Sequence, residues 1–174
     1  MWLDGTEAPS PAEAILKAYQ RHGTKFLESL SGRFALALWD RPANRVALDR
    51  MGIERLAYAR VGEGLAFSSS AAAVAELPGV DSSLRPQALF DFLLLHTVPA
   101  PETVYAGVAK LRPGTCAIVE NGRLRVERYW TPCFSDGSKV SYRELREGLM
   151  EALRKGVAAC RPDASTGAFL SGGL

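Results

Sequence analysis

Phe26-Leu-Glu-Ser-Leu-Ser-Gly-Arg-Phe-Ala-Leu-Ala-Leu-Trp-Asp40 decides the fold class, because its periodicity changes in mid-stretch. Phe26, Leu27 and Leu30 continue a three- and four-residue spacing that starts at Ala14, Ile15, Ala18 and Tyr19, so residues 11–31 read as helical. Gly32 ends that pattern, and Phe34 to Asp40 are then apolar nearly throughout, as a strand covered on both faces would be. Upstream, Ser10 is an N-cap, Pro11 takes the first helical position and Glu13 meets the positive end of the dipole. Gly23 divides the helical stretch in two.

Downstream, strands follow in pairs. Arg41-Pro-Ala-Asn44 is turn chemistry, and Arg45 to Asp49 return as the hairpin partner. Arg55 to Arg60 and Gly64 to Ser69 pair around Gly62-Glu63, and Thr115 to Glu120 pairs with Arg123 to Trp130 around Asn121-Gly122, the strongest hairpin signal in the chain. Between the last two pairs lie a short helix, Ala71 to Leu77, and a strongly apolar one, Pro86 to His96, which Pro99 and Pro101 stop. Helices mixed with antiparallel pairs make an α+β chain. Composition shifts at residues 131–140, which read as a linker. Tyr142 to Cys160 then forms a long helix with Leu145, Leu149, Leu153 and Val157 on one face. Gly167 to Leu170 reads as a short buried strand emptying into Ser171-Gly172-Gly173-Leu174.

Composition narrows the function. Lys and Arg exceed Asp and Glu by 2, and no basic cluster is interleaved with aromatics, which argues against a nucleic-acid partner. The longest apolar run is about six residues against the roughly 20 that a bilayer requires, so no membrane partner is expected. Met-Trp-Leu-Asp-Gly-Thr-Glu has neither the basic nor the apolar region of a signal peptide. Cys116, Cys133 and Cys160 are odd in number and widely spaced, which fits reduced thiols and no zinc site, and a cytoplasmic location is expected.

A strand that ends in Ser-Gly-Gly can open an anion-binding loop, since glycines let backbone N–H groups approach phosphate oxygens. Taken alone, those residues read more simply as a flexible tail. The chain as a whole, however, resembles the glutamine-hydrolysing asparagine synthetases and related class II glutamine amidotransferases. The opening stretch resembles L-x-G-x-F-A-F-A-l-W-D. Asp49-Arg-Met-Gly-Ile-Glu-Arg-Leu-Ala-Tyr58 resembles D-R-x-G-I-K-P-L-Y-Y, and Phe67-Ser-Ser-Ser70 stands where the family has F-A-S-E. Val98-Pro-Ala-Pro-Glu-Thr-Val-Tyr105, with Gly107, Lys110-Leu111 and Pro113-Gly114, resembles V-P-x-P-x-T-i-y-x-G-i-x-K-L-x-P-G. Tyr129-Trp130 closes that part, and Phe169 to Leu174 resembles the start of L-S-G-G-L-D-S-S.

The resemblance implies part of an Ntn-type αββα sandwich over residues 1–130, the linker, and the start of an α/β ATP-pyrophosphatase domain over 141–174. It implies glutamine, aspartate and ATP as small-molecule substrates, with Mg2+ in the complete synthetase domain, and leaves a homodimer open. Glutamine would release ammonia, aspartate would be adenylated, and ammonia would attack the acyl-adenylate. Leu170, Ser171, Gly172 and Gly173 would begin the ATP loop, whose acid and hydroxyls would follow the last residue. No residue is assigned to catalysis, glutamine binding or a metal.

The chain also departs from the pattern. It begins Met-Trp-Leu where the family has Met-Cys-Gly, whose cysteine is the nucleophile and whose own α-amine is the base. Pro11 replaces the acid of S-D-T-E, Glu54 and Arg55 replace Lys and Pro, and Ser70 replaces Glu. A fragment of the parent enzyme without glutaminase activity of its own is the expected reading. A β-lactam-synthetase-like ligase with an inactive glutaminase half, or a non-catalytic Ntn-like scaffold, are the rivals. No cysteine has a histidine near it in sequence, and Cys116 reads as a small buried apolar residue. His22 is expected to be capping or exposed and His96 packed or capping; Asp49 and Arg50 read as a structural ion pair. Trp39, Tyr58 and Phe90 are read as core, and Lys110 and Arg112 as solvated.

Overall fold

The computed structural model describes residues 2–3, 10–40, 43–134, 140–170 and 172. The chain divides into two compact units, Met1–Pro132 and Cys133–Leu174.

In the first unit a short strand β1 (Trp2–Leu3) precedes helix α1 (Pro11–His22), a 3-10 turn (Gly23–Lys25), α2 (Phe26–Ser29) and β2 (Leu30–Ser31). The start of α1 is built as its sequence dictates: the Glu13 N–H donates to the Ser10 hydroxyl at 3.2 Å, with Pro11 in the first turn, and Gly23 at φ 56° stops it. Then come β3 (Ala35–Asp40), β4 (Ala43–Leu48), β5 (Ala57–Val61), β6 (Gly64–Ser68), α3 (Ala71–Ala75), α4 (Pro86–Leu95), β7 (Ala109–Lys110), β8 (Thr115–Glu120) and β9 (Arg123–Arg128). One sheet has the order β3-β4-β8-β9 and another β6-β5-β7; β1 pairs only with β2. Asn121 and Gly122 both have positive φ, 50° and 69°, which joins β8 to β9 with the twist a two-residue hairpin requires.

Alternation along the strands stacks the layers. On β4 and β8, Ala47, Cys116 and Ile118 pack with Ala18, Phe26, Leu27 and Leu30 of the helical segment. Their neighbours Val46, Leu48 and Ala117 point the other way and pack on Tyr58, Leu65 and Ala109 of the second sheet. Ala57 and Ala59, flanking Tyr58 on β5, pack in turn on Val74 and Ala75 of α3. The order is helix, sheet, sheet, helix: an α+β chain with the expected αββα layering, in which two-residue periodicity sends successive residues of the central strands β4, β8 and β5 to opposite layers.

Three expectations are corrected. β3 is not covered on both faces: Leu36 and Leu38 are buried, but Ala35, Ala37 and Trp39 are exposed, Trp39 at 81%. β3 is an edge strand, and none of its residues reaches the core between the sheets. Trp39 is therefore not core, whereas Tyr58 is. Phe90 is not core either, at 59% exposure: α4 buries only Ala88, and its apolar surface outside the Gln87–Asp91 strip is wider than its neighbours cover.

The second unit contains α5 (Tyr142–Ala159), begun by a capping box in which the Glu144 N–H donates to the Ser141 hydroxyl and the Ser141 N–H to the Glu144 carboxylate at 2.9 Å. Leu145, Leu149, Leu153 and Val157 share a face as read, and all are exposed. The expected buried strand at Gly167–Leu170 is not found: residues 167–170 form no strand, and Leu170 is 97% exposed. A strand needs a neighbour to satisfy its backbone groups, and among the described residues none pairs with this one. No helix among the described residues is long and apolar enough to cross a membrane.

Candidate functional site

The family-like motifs converge on Asp49. Its side chain is 1% exposed, and one carboxylate oxygen accepts the N–H groups of Met51 (3.1 Å) and Ile53 (3.0 Å) while the other accepts that of Glu54 (3.0 Å). An ionised carboxylate is acceptor-only and so suits a turn that turns several N–H donors inward. Asp49 and Arg50 therefore do not form the expected ion pair. Arg50 instead donates to the Glu28 carbonyl at 2.8 Å, its guanidinium 6.0 Å from the Trp130 ring.

Backbone contacts tie the other motifs to this turn. The Gly114 N–H donates to the Asp49 carbonyl at 3.0 Å, and the Tyr129 hydroxyl to the Leu48 carbonyl at 2.6 Å. Burial, reinforced by the Asp49 charge, holds the Tyr129 phenol well above its ordinary range. Two glycines are steric necessities: a Cβ on Gly52 would lie 2.7 Å from the Pro113 ring, and one on Gly114 would lie 2.7 Å from the Trp130 carbonyl oxygen. Nearby, the buried Thr103 hydroxyl sits 2.7 Å from the Val108 carbonyl and accepts the Tyr105 N–H at 3.1 Å.

Beside the Asp49 turn lies a cleft of about 430 Å3 with walls from residues 48–56, 97–100 and 110–113. Leu48, Leu56 and Leu111 are its apolar lining; Glu54, Arg55, Thr97 and Lys110 are polar. Glu54 is bound to Arg33 at 2.8 Å. Lys110 is not the solvated residue expected: it is half-buried and its ammonium donates to the Val98 carbonyl, while Arg112 is exposed as read. Burial, followed by the charge of Arg55, lowers the Lys110 pKa from its ordinary value.

The replaced motif residues have local roles. Pro11 opens α1, the Ser70 hydroxyl caps α3 by accepting the Ala73 N–H at 3.4 Å, and Glu54 holds Arg33. Among the described residues no nucleophile–base pair is assembled. Cys116 is buried, as read, with its thiol pushed up to about 12 by desolvation; Cys133 and Cys160 are exposed. His22 ends α1 and is exposed, and His96 is the left-handed C-cap of α4 at φ 55°. Among the described residues no group of three or more His, Cys, Asp and Glu side chains could hold a metal ion.

Of the four residues expected at an ATP loop, Ser171 and Gly173 lie outside the described residues. Leu170 is exposed, and a Cβ on Gly172 would meet no atom within 4 Å. The backbone partners of Asp49 and the Lys110 cleft are what sequence reading missed; for Asp49 the signal was Gly52 three residues on, the spacing of a turn that folds back on a side-chain acceptor.

Residues 5–130 match the family model described as the glutamine amidotransferase domain. A Mycobacterium tuberculosis protein (strain H37Rv) provisionally named asparagine synthetase (glutamine-hydrolysing) is 35% identical over 93% of this chain and 26% of its own length. Asparagine synthetase (glutamine-hydrolysing) 3 of Bacillus subtilis is 25% identical over 97% of the chain and 28% of its own length. The chain thus spans about a quarter of the length of these curated relatives. The solved glutamine phosphoribosylpyrophosphate amidotransferase of B. subtilis superimposes with a TM-score of 0.47 at 18% identity, over 73% of this chain and 24% of that one.

Proposed function

Because the chain belongs to the glutamine amidotransferase domain family, we propose that it is part of an ATP-dependent carbon–nitrogen ligase of the glutamine-hydrolysing asparagine synthetase kind. The observation that carries this reading is the reach of the similarity. The family model stops at residue 130, but the mycobacterial alignment leaves out only about a dozen residues of the chain and so extends well into the second unit. Relatives that carry both units, in this order, bear the synthetase name. The whole protein would join ammonia from glutamine to aspartate with ATP as the energy source. Residues 1–130 would form the amidotransferase part, 131–140 the linker and 141–174 the beginning of the ATP-binding part, with Leu170, Ser171, Gly172 and Gly173 at the start of its loop. A cytoplasmic enzyme, dimeric or not, fits these substrates.

The 174-residue chain itself should release no ammonia from glutamine, since Trp2 and Leu3 stand where the family pattern has Cys and Gly and Cys116 is buried with its thiol pushed up to about 12. The test places the gene that carries this chain in an asparagine auxotroph. Growth without asparagine, together with glutamine- and ATP-dependent asparagine formation by the purified product, is expected. Failure of both, with the product folded and abundant, would refute the assignment, and ammonia release by the 174-residue chain would refute its inactivity.

A further inference from the structure

We propose that the cleft beside the Asp49 turn binds a small oxyanion, a phosphate or dicarboxylate, between Arg55 and Lys110. The site goes beyond the amidotransferase reading and stands or falls separately from it. Arg55 and Lys110 line the same cleft, contributed by segments 55 residues apart in sequence. Among the described residues no carboxylate lies within ion-pairing distance of either, and the one acid in the lining, Glu54, is engaged by Arg33. One ammonium donor of Lys110 goes to the Val98 carbonyl, which fixes the side chain and leaves two donors. The wall formed by Leu48, Leu56 and Leu111 excludes water from one side, which strengthens attraction for an anion. Burial and Arg55 both disfavour the charged form of Lys110; an oxyanion seated between the two cations would reverse that pressure.

Inorganic phosphate and succinate are titrated separately into the 15N-labelled 174-residue chain at low ionic strength, and backbone amides are followed by NMR. Saturable, mutually competitive shifts confined to residues around Arg55, Val98 and Lys110 are expected, and the tighter probe identifies which oxyanion source the cleft prefers. Lys110→Met and the exposed-site change Arg55→Ala should each weaken binding about tenfold, the scale of one charge-assisted contact. Arg60→Ala, which removes the same charge from β5, should leave it unchanged. Non-saturable shifts, equal weakening by Arg60→Ala, or full binding by folded Arg55→Ala would overturn the proposal.

Discussion

Asp49→Asn isolates what a buried carboxylate does for this sandwich. The substitution preserves shape and changes only what one terminal atom can accept. In the native turn three backbone N–H groups converge on the carboxylate, two on one oxygen and one on the other. Asparagine can keep its carbonyl toward Met51 and Ile53, but its NH2 then faces the Glu54 N–H, donor against donor. One charge-assisted bond is lost, a buried donor is left unsatisfied and the remaining two bonds lose their ionic component, for a total of about 3 kcal/mol. Urea unfolding followed by tryptophan fluorescence reads the right unit, since Trp2, Trp39 and Trp130 all precede residue 133. With a urea dependence of roughly 2 kcal/mol per molar, the midpoint should fall by about 1.5 M. Glu54→Gln is the matched control: it leaves the Glu54 N–H in place and removes only the exposed bridge to Arg33, which is worth about 0.5 kcal/mol. A midpoint shift below about 0.3 M for Asp49→Asn, or an equal shift for Glu54→Gln, would refute the turn-locking role.

Three further outcomes follow from packing and burial. Gly107→Ala should destabilise by about 2 kcal/mol or more in the same assay, because its Cβ would lie 2.7 Å from both the backbone nitrogen and the carbonyl oxygen of Asp81. At pH 8 a thiol reagent should modify Cys133 and Cys160 in the folded chain and reach Cys116 only in urea. The folded-state pKa of Cys116 is raised to about 12, so its stabilising effect is complete below the unfolded value near 8.5 and declines as pH rises from there toward 12. A Cys116→Ala variant should accordingly lose stability less steeply between pH 9 and 10, by up to about 1.4 kcal/mol per pH unit.

Much of the αββα arrangement was legible where local chemistry and burial agree. Ser10-Pro11 opening α1, Gly23 closing it and Asn121-Gly122 turning β8 into β9 each act over a few residues. β1, β2 and β7 are two residues long and too short to show a period. β3 misled because alanine at 35 and 37 is neither clearly apolar nor polar; only the position of the strand at the sheet edge decides that this face meets water. Phe90 misled for a different reason: the polar strip of Gln87 and Asp91 is narrow, and the wide apolar surface left on α4 does not announce which part is covered. The site was less legible than the fold. Asp49 was picked out but assigned to its sequence neighbour Arg50, when its partners are the backbone N–H groups of Met51, Ile53 and Glu54 in the turn that follows it. Lys110 reaches its cleft only because β7 lies against β5, a pairing of Lys110 with Ala57 that nothing local encodes.

Because Val46, Ala47 and Leu48 face alternate cores, as do Ala57, Tyr58 and Ala59, the strands tolerate changes of side chain far better than changes of length. Deleting a single codon within β4 would exchange its inner and outer sets at once and drag Asp49 out of register with the donors it gathers. Gene lineages descended from this sequence should therefore vary in length at the tips, such as residues 62–63 and 121–122, and hardly at all within the strands.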